Sequence, residues 1–305
     1  MKKNLKMSAA ILAAVMVMGS LTACGGSSSD PTTASAKDTT AAAADSGSTA
    51  AADSGSATGD VTADVQKIID AGVLKVGVKT DVPCFSLQNT ATGEYEGLED
   101  DLAYNIAGKI FGCTPDEAKE KKLVEFQGVT AKTRGPLVEN GELDMVIATF
   151  TITEERKETY NFSTPYFTDA VGLLVLKDSG INSIEDLDGK VIGVAQGSTS
   201  QKGFEAYVAE KGINVKPTFE EFDGYPALAA ALSAKNIDVF SVDRAILAGY
   251  RDDTNKLLDD RYAEQEYGVC TKKENTGLAE LVDGVVTDLK DSGKLAEMIK
   301  DWGIE

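Results

Sequence analysis

The stretch TITEERKETYNFSTPYF, residues 151–167, places Arg156 just after the apolar segment MVIAT, which is typical of a strand. In open α/β sheets ligands bind beyond the carboxyl ends of strands, where new helices present free backbone N–H groups. A guanidinium is a planar fork that can hold a carboxylate through two parallel hydrogen bonds. Arg156 is therefore a candidate carboxylate ligand. The alternative is a capping box between Thr151 and Glu154, with Arg156 paired to neighbouring acids in a solvated turn.

Two other segments carry polar side chains at predicted helix starts. Ser198 and Thr199 belong to QGSTS, which lacks the lysine of a P-loop and so suits a carboxylate better than a triphosphate. Asp243, in FSVDRAIL, lies where a strand gives way to a helix. Asp243 can cap that helix or serve as the acidic partner of an ammonium group, and the pattern leaves both roles open.

The composition excludes several classes of chemistry. The chain has no histidine, which removes Ser-His-Asp and Cys-His nucleophiles, histidine zinc sites and a histidine general base. With 30 basic and 49 acidic residues, the net charge of −19 opposes binding to nucleic acid and anionic lipid. We expect no metal, no cofactor and no nucleic-acid partner. Cys84, Cys113 and Cys270 are an odd number with no C-x-x-C pair, so a disulfide remains open.

The N-terminus predicts export. A basic MKKNLK, an apolar AAILAAVMVM too short to span a bilayer, and LTAC indicate a signal peptide over residues 1–23. The segment resembles the lipobox of bacterial lipoproteins, which implies lipidation of Cys24 and anchoring outside the cell membrane. An ordinary cleaved signal with a chance cysteine is the alternative. Residues 24–60 lack aromatic and large aliphatic side chains, so we expect a flexible tether.

Strand and helix patterns alternate through the rest of the chain. Predicted strands are VLKVGV (73–78), KLVEF (122–126), LDMVIATF (143–150), AVGLLVL (170–176), KVIGVAQ (190–196), VKPTFEEF (215–222) and IDVFSV (237–242). Predicted helices are EDDLAYNIAGKIFG, SQKGFEAYVAEKG, YPALAAALSAK, DRAILAGYR and two in the tail TGLAELVDGVVTDLKDSGKLAEMIKDWG. This alternation predicts an α/β fold with largely parallel sheets, and the length fits two lobes.

Several blocks together carry a family resemblance. They are LKVGVKTDVPCF, GEYEGLEDDLAYNIAGKI, LVENGELDMVIATFTITEERKETYNFSTPYF, LDGKVIGVAQGSTS and IDVFSVDRAIL. Their order and spacing resemble those of extracellular amino-acid-binding proteins of ABC importers, solute-binding family 3. The resemblance extends from about Val73 to the C-terminus. It implies a type II periplasmic binding protein, with two Rossmann-like lobes joined by a two-strand hinge.

The resemblance also implies where the chain passes between lobes. The crossings are expected near Tyr166–Ala170 and near Gln265–Gly268. Lobe 1 would then comprise residues 61–168 and 266–305, and lobe 2 residues 169–265.

The same resemblance assigns roles to the candidate residues. In the family the arginine of the TIT-x-x-R block holds the ligand's α-carboxylate, which implies this role for Arg156 with Thr151 and Thr149 nearby. The aspartate of the FSVD block meets the α-amino group, which implies that role for Asp243. With Arg156 on one lobe and Asp243 on the other, closure of the lobes would depend on the zwitterion.

The residues expected around the ligand side chain vary more among family members than those that bind the α-carboxylate and the α-amino group. In binders of acidic amino acids, basic residues in the first strand and in the x-x-x-R-x-P-L block meet the second carboxylate, which points to Lys79 and Arg134. The alternative is that Lys79 is solvated and Arg134 pairs with Glu139 or Glu142. Asp81 opposes an acidic ligand unless a cation lies between the like charges.

Other relatives suggest other ligands. Glutamine-type members place large aromatic side chains where this chain has Cys84 and Ala131, whereas the stretch AKTRGPL resembles cystine binders. We expect glutamate or aspartate first, and cystine or glutamine next. The expected partner is a membrane permease powered by a separate ATPase, and the protein is expected to be a monomer.

Two other functions share this fold. Cyclohexadienyl dehydratases resemble it and use an acidic residue in a closed cleft, a role open to Glu99 or Asp81. A detached sensor module is the third possibility.

Overall fold

The structure is a computed structural model that describes residues 61–304. The predicted signal peptide, the tether and Cys24 lie outside the described residues. No helix within 61–304 is both long and apolar enough to cross a membrane.

The strands of this region follow the predicted segments, with additional short strands between them. In chain order they are β1 (Leu74–Val78), β2 (Asp81–Val82), β3 (Ser86–Gln88), β4 (Tyr95–Glu96), β5 (Val124–Gly128), β6 (Met145–Val146), β7 (Tyr160–Phe162), β8 (Phe167–Leu176), β9 (Val191–Ala195), β10 (Thr218–Phe222), β11 (Val239–Asp243), β12 (Asn255–Leu257), β13 (Tyr262–Tyr267) and β14 (Cys270–Lys272).

The helices include each one that was predicted. In chain order they are α1 (Ala63–Ala71), α2 (Leu98–Phe111), α3 (Pro115–Glu120), α4 (Arg134–Glu139), α5 (Glu154–Thr159), α6 (Ser200–Lys211), α7 (Tyr225–Ser233), α8 (Arg244–Ala248), α9 (Thr276–Asp291) and α10 (Lys294–Asp301). Helix α2 shows why the pattern worked, because Leu98, Leu102, Ile106 and Ile110 are all buried on one face. It ends at Gly112, whose φ of 66° is the left-handed conformation of a glycine cap.

Two larger sheets form the cores of the two lobes. The first has the order β5-β1-β6-β14-β7 and the second β10-β9-β11-β8-β12, with β13 also paired to β8. Strands β2, β3 and β4 form a small antiparallel sheet beside the first lobe's core.

The expectation of largely parallel sheets was only partly right. Strand β1 is parallel to β5 and β6, and β9 is parallel to β10 and β11, as strands joined through helices should be. Strands β8 and β14 instead pair antiparallel with all their neighbours. Both follow a strand-to-strand passage from one sheet to the other that contains no helix.

The chain passes between the sheets at two adjacent places. The first passage runs from β7, which ends at Phe162, to β8, which begins at Phe167. The second runs from β13, which ends at Tyr267, to β14, which begins at Cys270. Phe167 pairs with Tyr267 in the β8–β13 ladder, so the two passages lie side by side and form a two-strand connection.

Candidate functional site

Helix α5 positions Arg156 through a cap that the sequence pattern did not indicate. The hydroxyl of Thr153 accepts a hydrogen bond of 3.1 Å from the Arg156 backbone N–H. The cap is therefore Thr153, and the proposed box of Thr151 with Glu154 does not form. Thr151 is held elsewhere, because its backbone bridges to Tyr267 of the hinge.

The acids beside Arg156 bind other cations. Glu154 pairs with Lys157 at 2.8 Å, and Glu155 pairs with Lys202 of α6, also at 2.8 Å. The Arg156 guanidinium lies within ion-pair distance of no carboxylate in residues 61–304. The alternative of a locally paired arginine is therefore wrong in this structure.

The Arg156 guanidinium is directed into the cleft between the lobes. Its Nη1 donates to the Thr151 carbonyl at 2.7 Å, and its Nη2 donates to the Gly197 carbonyl of the second lobe at 2.9 Å. The guanidinium carbon lies 4.6 Å from the centre of the Phe150 ring. Burial, and then the positive charge of Arg134, lower the pKa of Arg156 to about 9. An anion beside this group would favour its charged form and so oppose both effects.

Arg134 is a second guanidinium beside the same ring, and it is more deeply buried than Arg156. It is 3% exposed, its Nη1 donates to the Ala148 and Thr149 carbonyls at 2.5 and 2.9 Å, and its guanidinium carbon lies 4.2 Å from the Phe150 centroid. Its Nε is buried without a hydrogen-bond partner among the described residues. Phe150 thus contacts both guanidiniums, a role that its position in the predicted strand did not reveal.

The expected acidic partners of Arg134 lie elsewhere. Glu139 accepts from the Tyr160 hydroxyl at 3.5 Å, and Glu142 accepts from the Asn140 side chain at 2.7 Å. Because neither glutamate pairs with Arg134, the alternative of a surface ion pair is wrong.

Thr149 connects this cluster to a buried carboxylate. Its φ of 46° is left-handed, which is uncommon for a residue with a Cβ. Its N–H donates to Glu99 Oε1 at 2.6 Å, and the Tyr166 hydroxyl donates to the same oxygen at 2.6 Å. The Thr149 hydroxyl is buried. Glu99, considered above only as a possible catalyst, therefore supports the turn that presents Thr149.

Lys79 and Asp81 form an ion pair, with Nζ and Oδ1 3.1 Å apart. Lys79 is 1% exposed, and its Nζ lies 4.4 Å from the ring centre of Tyr225, at the start of α7 in the second lobe. Burial lowers the pKa of Lys79, and the charge of Asp81 opposes this shift. The backbone carbonyl of Asp81 also accepts from the Tyr250 hydroxyl at 2.6 Å. The lysine is therefore not solvated, and a cation does lie beside Asp81.

Asp243 is buried at the end of β11 and does not cap α8. Its Oδ2 accepts from the hydroxyl of Tyr267 in the hinge. Burial raises the pKa of Asp243 to about 7, the Tyr267 hydrogen bond opposes that rise, and the negative charge of Asp169 adds to it. The positive charges of Arg134 and Arg156 also oppose the rise in the Asp243 pKa.

A glutamine that was not predicted as a site residue joins the two lobes. Gln265 Oε1 accepts from the Thr151 hydroxyl at 2.6 Å and from the Thr199 hydroxyl at 2.7 Å. These residues, with Arg156 and Ser198, line a cleft of about 910 Å³. The structure therefore gathers the predicted carboxylate-binding residues of both lobes at one place.

Two of the residues missed from sequence had a detectable signal. Tyr225 begins the helix after β10, and Phe150 lies just beyond β6, both at the carboxyl ends of strands where ligand sites form. Cys84 and Ala131, at the positions where glutamine-type members carry large aromatic side chains, form no aromatic wall here. Cys84 is exposed with a φ of 70°, and Ala131 is a small buried residue. Cys84, Cys113 and Cys270 are all free thiols.

Comparison with known proteins gives a consistent result. Residues 74–305 match the bacterial extracellular solute-binding proteins, family 3. The ABC transporter glutamine-binding protein of Bacillus subtilis (strain 168) is 35% identical over 238 residues, covering 77% of this chain and 82% of that protein. A glutamine-binding protein of Geobacillus stearothermophilus is 41% identical over 216 residues, covering 70% and 78%. The solved structure of an ancestral arginine-binding protein bound to arginine aligns with a TM-score of 0.64 at 30% identity, covering 76% of this chain and 98% of that one.

Proposed function

Because this chain belongs to the family 3 bacterial extracellular solute-binding proteins, we propose that it captures glutamate or aspartate between its lobes for an ABC importer. The observation that carries this proposal is the pair of guanidiniums at the Phe150 ring. Arg134 is buried and Arg156 is partly buried, and neither has a carboxylate partner within residues 61–304. A cation shielded from water without a counter-charge is costly, most of all at Arg134, and two ligand carboxylates would supply the missing counter-charges.

The α-carboxylate belongs at Arg156. This guanidinium lines the cleft together with Thr151 of the first lobe and with Ser198 and Thr199 at the start of α6 in the second. Free N–H groups at that helix start favour an anion. The α-ammonium group belongs at Asp243, with the buried Thr149 hydroxyl as a second contact. The α-carboxylate and the α-ammonium group are common to every α-amino acid, so their binding residues do not select among side chains.

The second carboxylate belongs between Arg134 and Lys79. Lys79 and Arg134 are buried and Arg156 is partly buried, and Lys79 is matched by Asp81 in an ion pair. Glu99 and Asp243 also act on these cations, but Glu99 accepts hydrogen bonds from Thr149 and Tyr166, and Asp243 is assigned to the ammonium group. Arg134 thus has no carboxylate within ion-pair distance in residues 61–304, and the second carboxylate of glutamate or aspartate would supply one.

Glutamine is the main competing ligand, since two similar relatives carry that name. A neutral amide would leave the buried Arg134 without a counter-charge. Cystine is the other competitor and would also bring a second carboxylate. Arginine, named for the ancestral structure, would add a cation next to Arg134.

The cellular setting follows from the family and the N-terminal sequence. We propose that the mature protein is held outside the membrane by a lipidated Cys24 and the tether of residues 25–60. It would act as a monomer and deliver its ligand to the importer's permease.

A dehydratase on this fold would need a free acid in the cleft. Glu99 accepts two hydrogen bonds from the protein, and Asp81 pairs with Lys79, which favours structural roles for both. Incubation with prephenate or arogenate should yield no aromatic product.

The proposal is tested by thermal unfolding with a panel of amino acids, followed by calorimetry. A ligand at one hundred times its Kd should stabilise the protein by roughly 2.7 kcal/mol. We expect the largest shift with glutamate or aspartate, and tighter binding of glutamate than of glutamine. Tighter binding of glutamine or cystine than of either acid would contradict the ligand class, and no shift with any amino acid would contradict the function.

A further inference from the structure

Asp243 occupies the N-cap position of α8, yet its carboxylate does not serve the helix. An aspartate at this position ordinarily accepts a hydrogen bond from the second or third backbone N–H of the helix. Here its hydrogen-bond partner within the described chain is the hydroxyl of Tyr267. The side chain is therefore turned from the helix end toward the hinge and the cleft.

A different aspartate satisfies the end of α8. Asp169 lies on β8, 76 residues away in sequence, and its Oδ2 accepts from the Ala245 N–H at 2.8 Å. Ala245 is the second residue of α8, so this is the N–H that Asp243 would otherwise bind. The other oxygen, Oδ1, accepts from the Ala170 N–H at 2.7 Å. Both Asp169 oxygens are thus fixed by backbone donors.

We propose that Asp169 is a positioning residue for ligand binding, which caps α8 in place of Asp243 and thereby leaves Asp243 free to hold the ligand's ammonium group. This inference rests on the proposed function, in which Asp243 receives that group. It assigns Asp169 an effect on affinity although Asp169 itself does not contact the ligand.

If Asp169 did not bind the Ala245 N–H, the Asp243 side chain could bind it instead. Without Asp169, the Ala245 N–H would lose its partner, and an unpaired backbone donor is unfavourable. Asp243 could satisfy it by rotating its side chain, because capping by the preceding residue is the usual arrangement. The negative charge of Asp169 also repels Asp243 from the helix end, and it contributes to the raised pKa of Asp243.

The test measures calorimetric affinity for L-glutamate and L-glutamine in five proteins: wild type, Asp169→Ala, Asp169→Asn, Asp243→Asn and the Asp169→Ala/Asp243→Asn double variant. Both probes carry the ammonium group, so the outcome does not depend on which side chain is preferred. Loss of one charged hydrogen bond should weaken both probes about 10- to 100-fold in Asp169→Ala. Asp169→Asn keeps one oxygen acceptor for the Ala245 N–H but loses the negative charge and the acceptor for Ala170, so it should weaken both probes less than Asp169→Ala does.

The double variant shows whether Asp169 acts through Asp243. If it does, Asp169→Ala should add less than about threefold once Asp243 is already Asn. An equal loss in both backgrounds would overturn the inference, and so would wild-type affinity in Asp169→Ala. Unchanged affinity in Asp243→Asn would instead refute the ammonium assignment of the proposed function.

Two further variants separate positioning from stability and charge. Asp186→Ala removes another capping carboxylate of the second lobe, which accepts from Asn182 N–H at 2.8 Å, and should lower the unfolding temperature without changing affinity. Asp169→Glu keeps the charge but displaces the acceptor, so it should weaken both probes as Asp169→Ala does. Asp169→Glu can take the place of Asp169→Ala in the affinity test if the alanine variant does not fold. Wild-type affinity in Asp169→Glu would overturn the inference.

Discussion

Phe150 organises the charges of the site by offering its ring to two cations. Arg134 and Arg156 lie 4.2 and 4.6 Å from its centroid, and their remaining contacts are backbone carbonyls. Carbonyls and a ring face orient a guanidinium but carry no net negative charge. Each arginine therefore keeps its preference for an anion, and their separate supports allow them to hold different carboxylates.

Replacing Arg134 by Met should remove the preference for glutamate over glutamine. Wild type should favour glutamate by about 1.5 to 3 kcal/mol, the range of a hydrogen bond to a charged group, and Arg134→Met should lose or reverse that difference. Calorimetry with both ligands on each variant measures it. Because both ligands are bound by the same variant, general effects on folding and closure cancel.

Lys132→Met is the matched control for that change. Lys132 is an exposed cation two residues away, so its loss alters the overall charge equally but should leave the preference unchanged. If Arg134→Met weakens glutamate and glutamine equally, Arg134 does not meet the ligand side chain.

At the scale of elements, the first-lobe contacts of the α-carboxylate depend on a helix of six residues. Helix α5 is too short to be stable alone, and none of its residues is buried. Its start is fixed by the Thr153 cap, and the Arg156 contacts to Thr151 and Gly197 hold its side chain over the cleft. A loss at the cap should therefore affect binding as well as folding.

Thr153→Ala should lower the free energy of unfolding by about 1 kcal/mol, because the capping acceptor is lost. The same variant should weaken amino-acid binding, since the first turn of α5 carries Arg156. Urea denaturation and calorimetry measure the two effects. Thr153→Asn keeps a capping acceptor and should resemble wild type in both, and an Ala variant with unchanged stability would show that the cap is dispensable.

At the scale of the whole molecule, polar contacts hold the two lobes together around the cleft. Gln265 connects Thr151 to Thr199, and Tyr250 binds the Asp81 carbonyl from the opposite lobe. A ligand that touches both lobes would add its own contacts to these and so favour closure. Such a ligand stabilises the closed form by the difference between its affinities for the two forms.

Three buried carboxyl groups should make the ligand-free protein less stable as pH rises. Burial raises the pKa of Glu99 and of Asp243 to about 7, and that of Asp100 to about 8. Between their ordinary values and these raised ones, the folded state binds more protons than the unfolded state, so the unfolding free energy falls with pH. Each group contributes at most about 1.4 kcal/mol per pH unit.

Urea denaturation at several values between about pH 5 and pH 8 checks this slope. Surface carboxyls with lowered pKa values, such as Asp178 and Asp252, titrate below the window, so their stabilisation is constant across it. Asp100→Asn removes one titrating group and should flatten the decline. A wild-type stability that is level or rises across the window would contradict the prediction.

The local pattern was sufficient for most of the longer elements and for the candidate residues at strand ends, but it missed α1, α3, α4 and several short strands. Helix α2 was predictable because the spacing of Leu102, Ile106 and Ile110 reflects burial of one helical face, which depends on neighbours in sequence. Arg156 and Asp243 could be selected because their side-chain chemistry and their places after predicted strands are also local. The family resemblance, and not the pattern, supplied their expected roles.

The partners of those residues depended on the tertiary structure alone. Whether Asp243 caps α8 was open from sequence, and it was decided by Asp169, which packing brings to the helix end from 76 residues away. Lys79 meets Tyr225, and Thr149 meets Glu99 50 residues earlier, for the same reason. Periodicity records which faces are buried, whereas these contacts arise only when separate faces pack together and set which polar groups face each other.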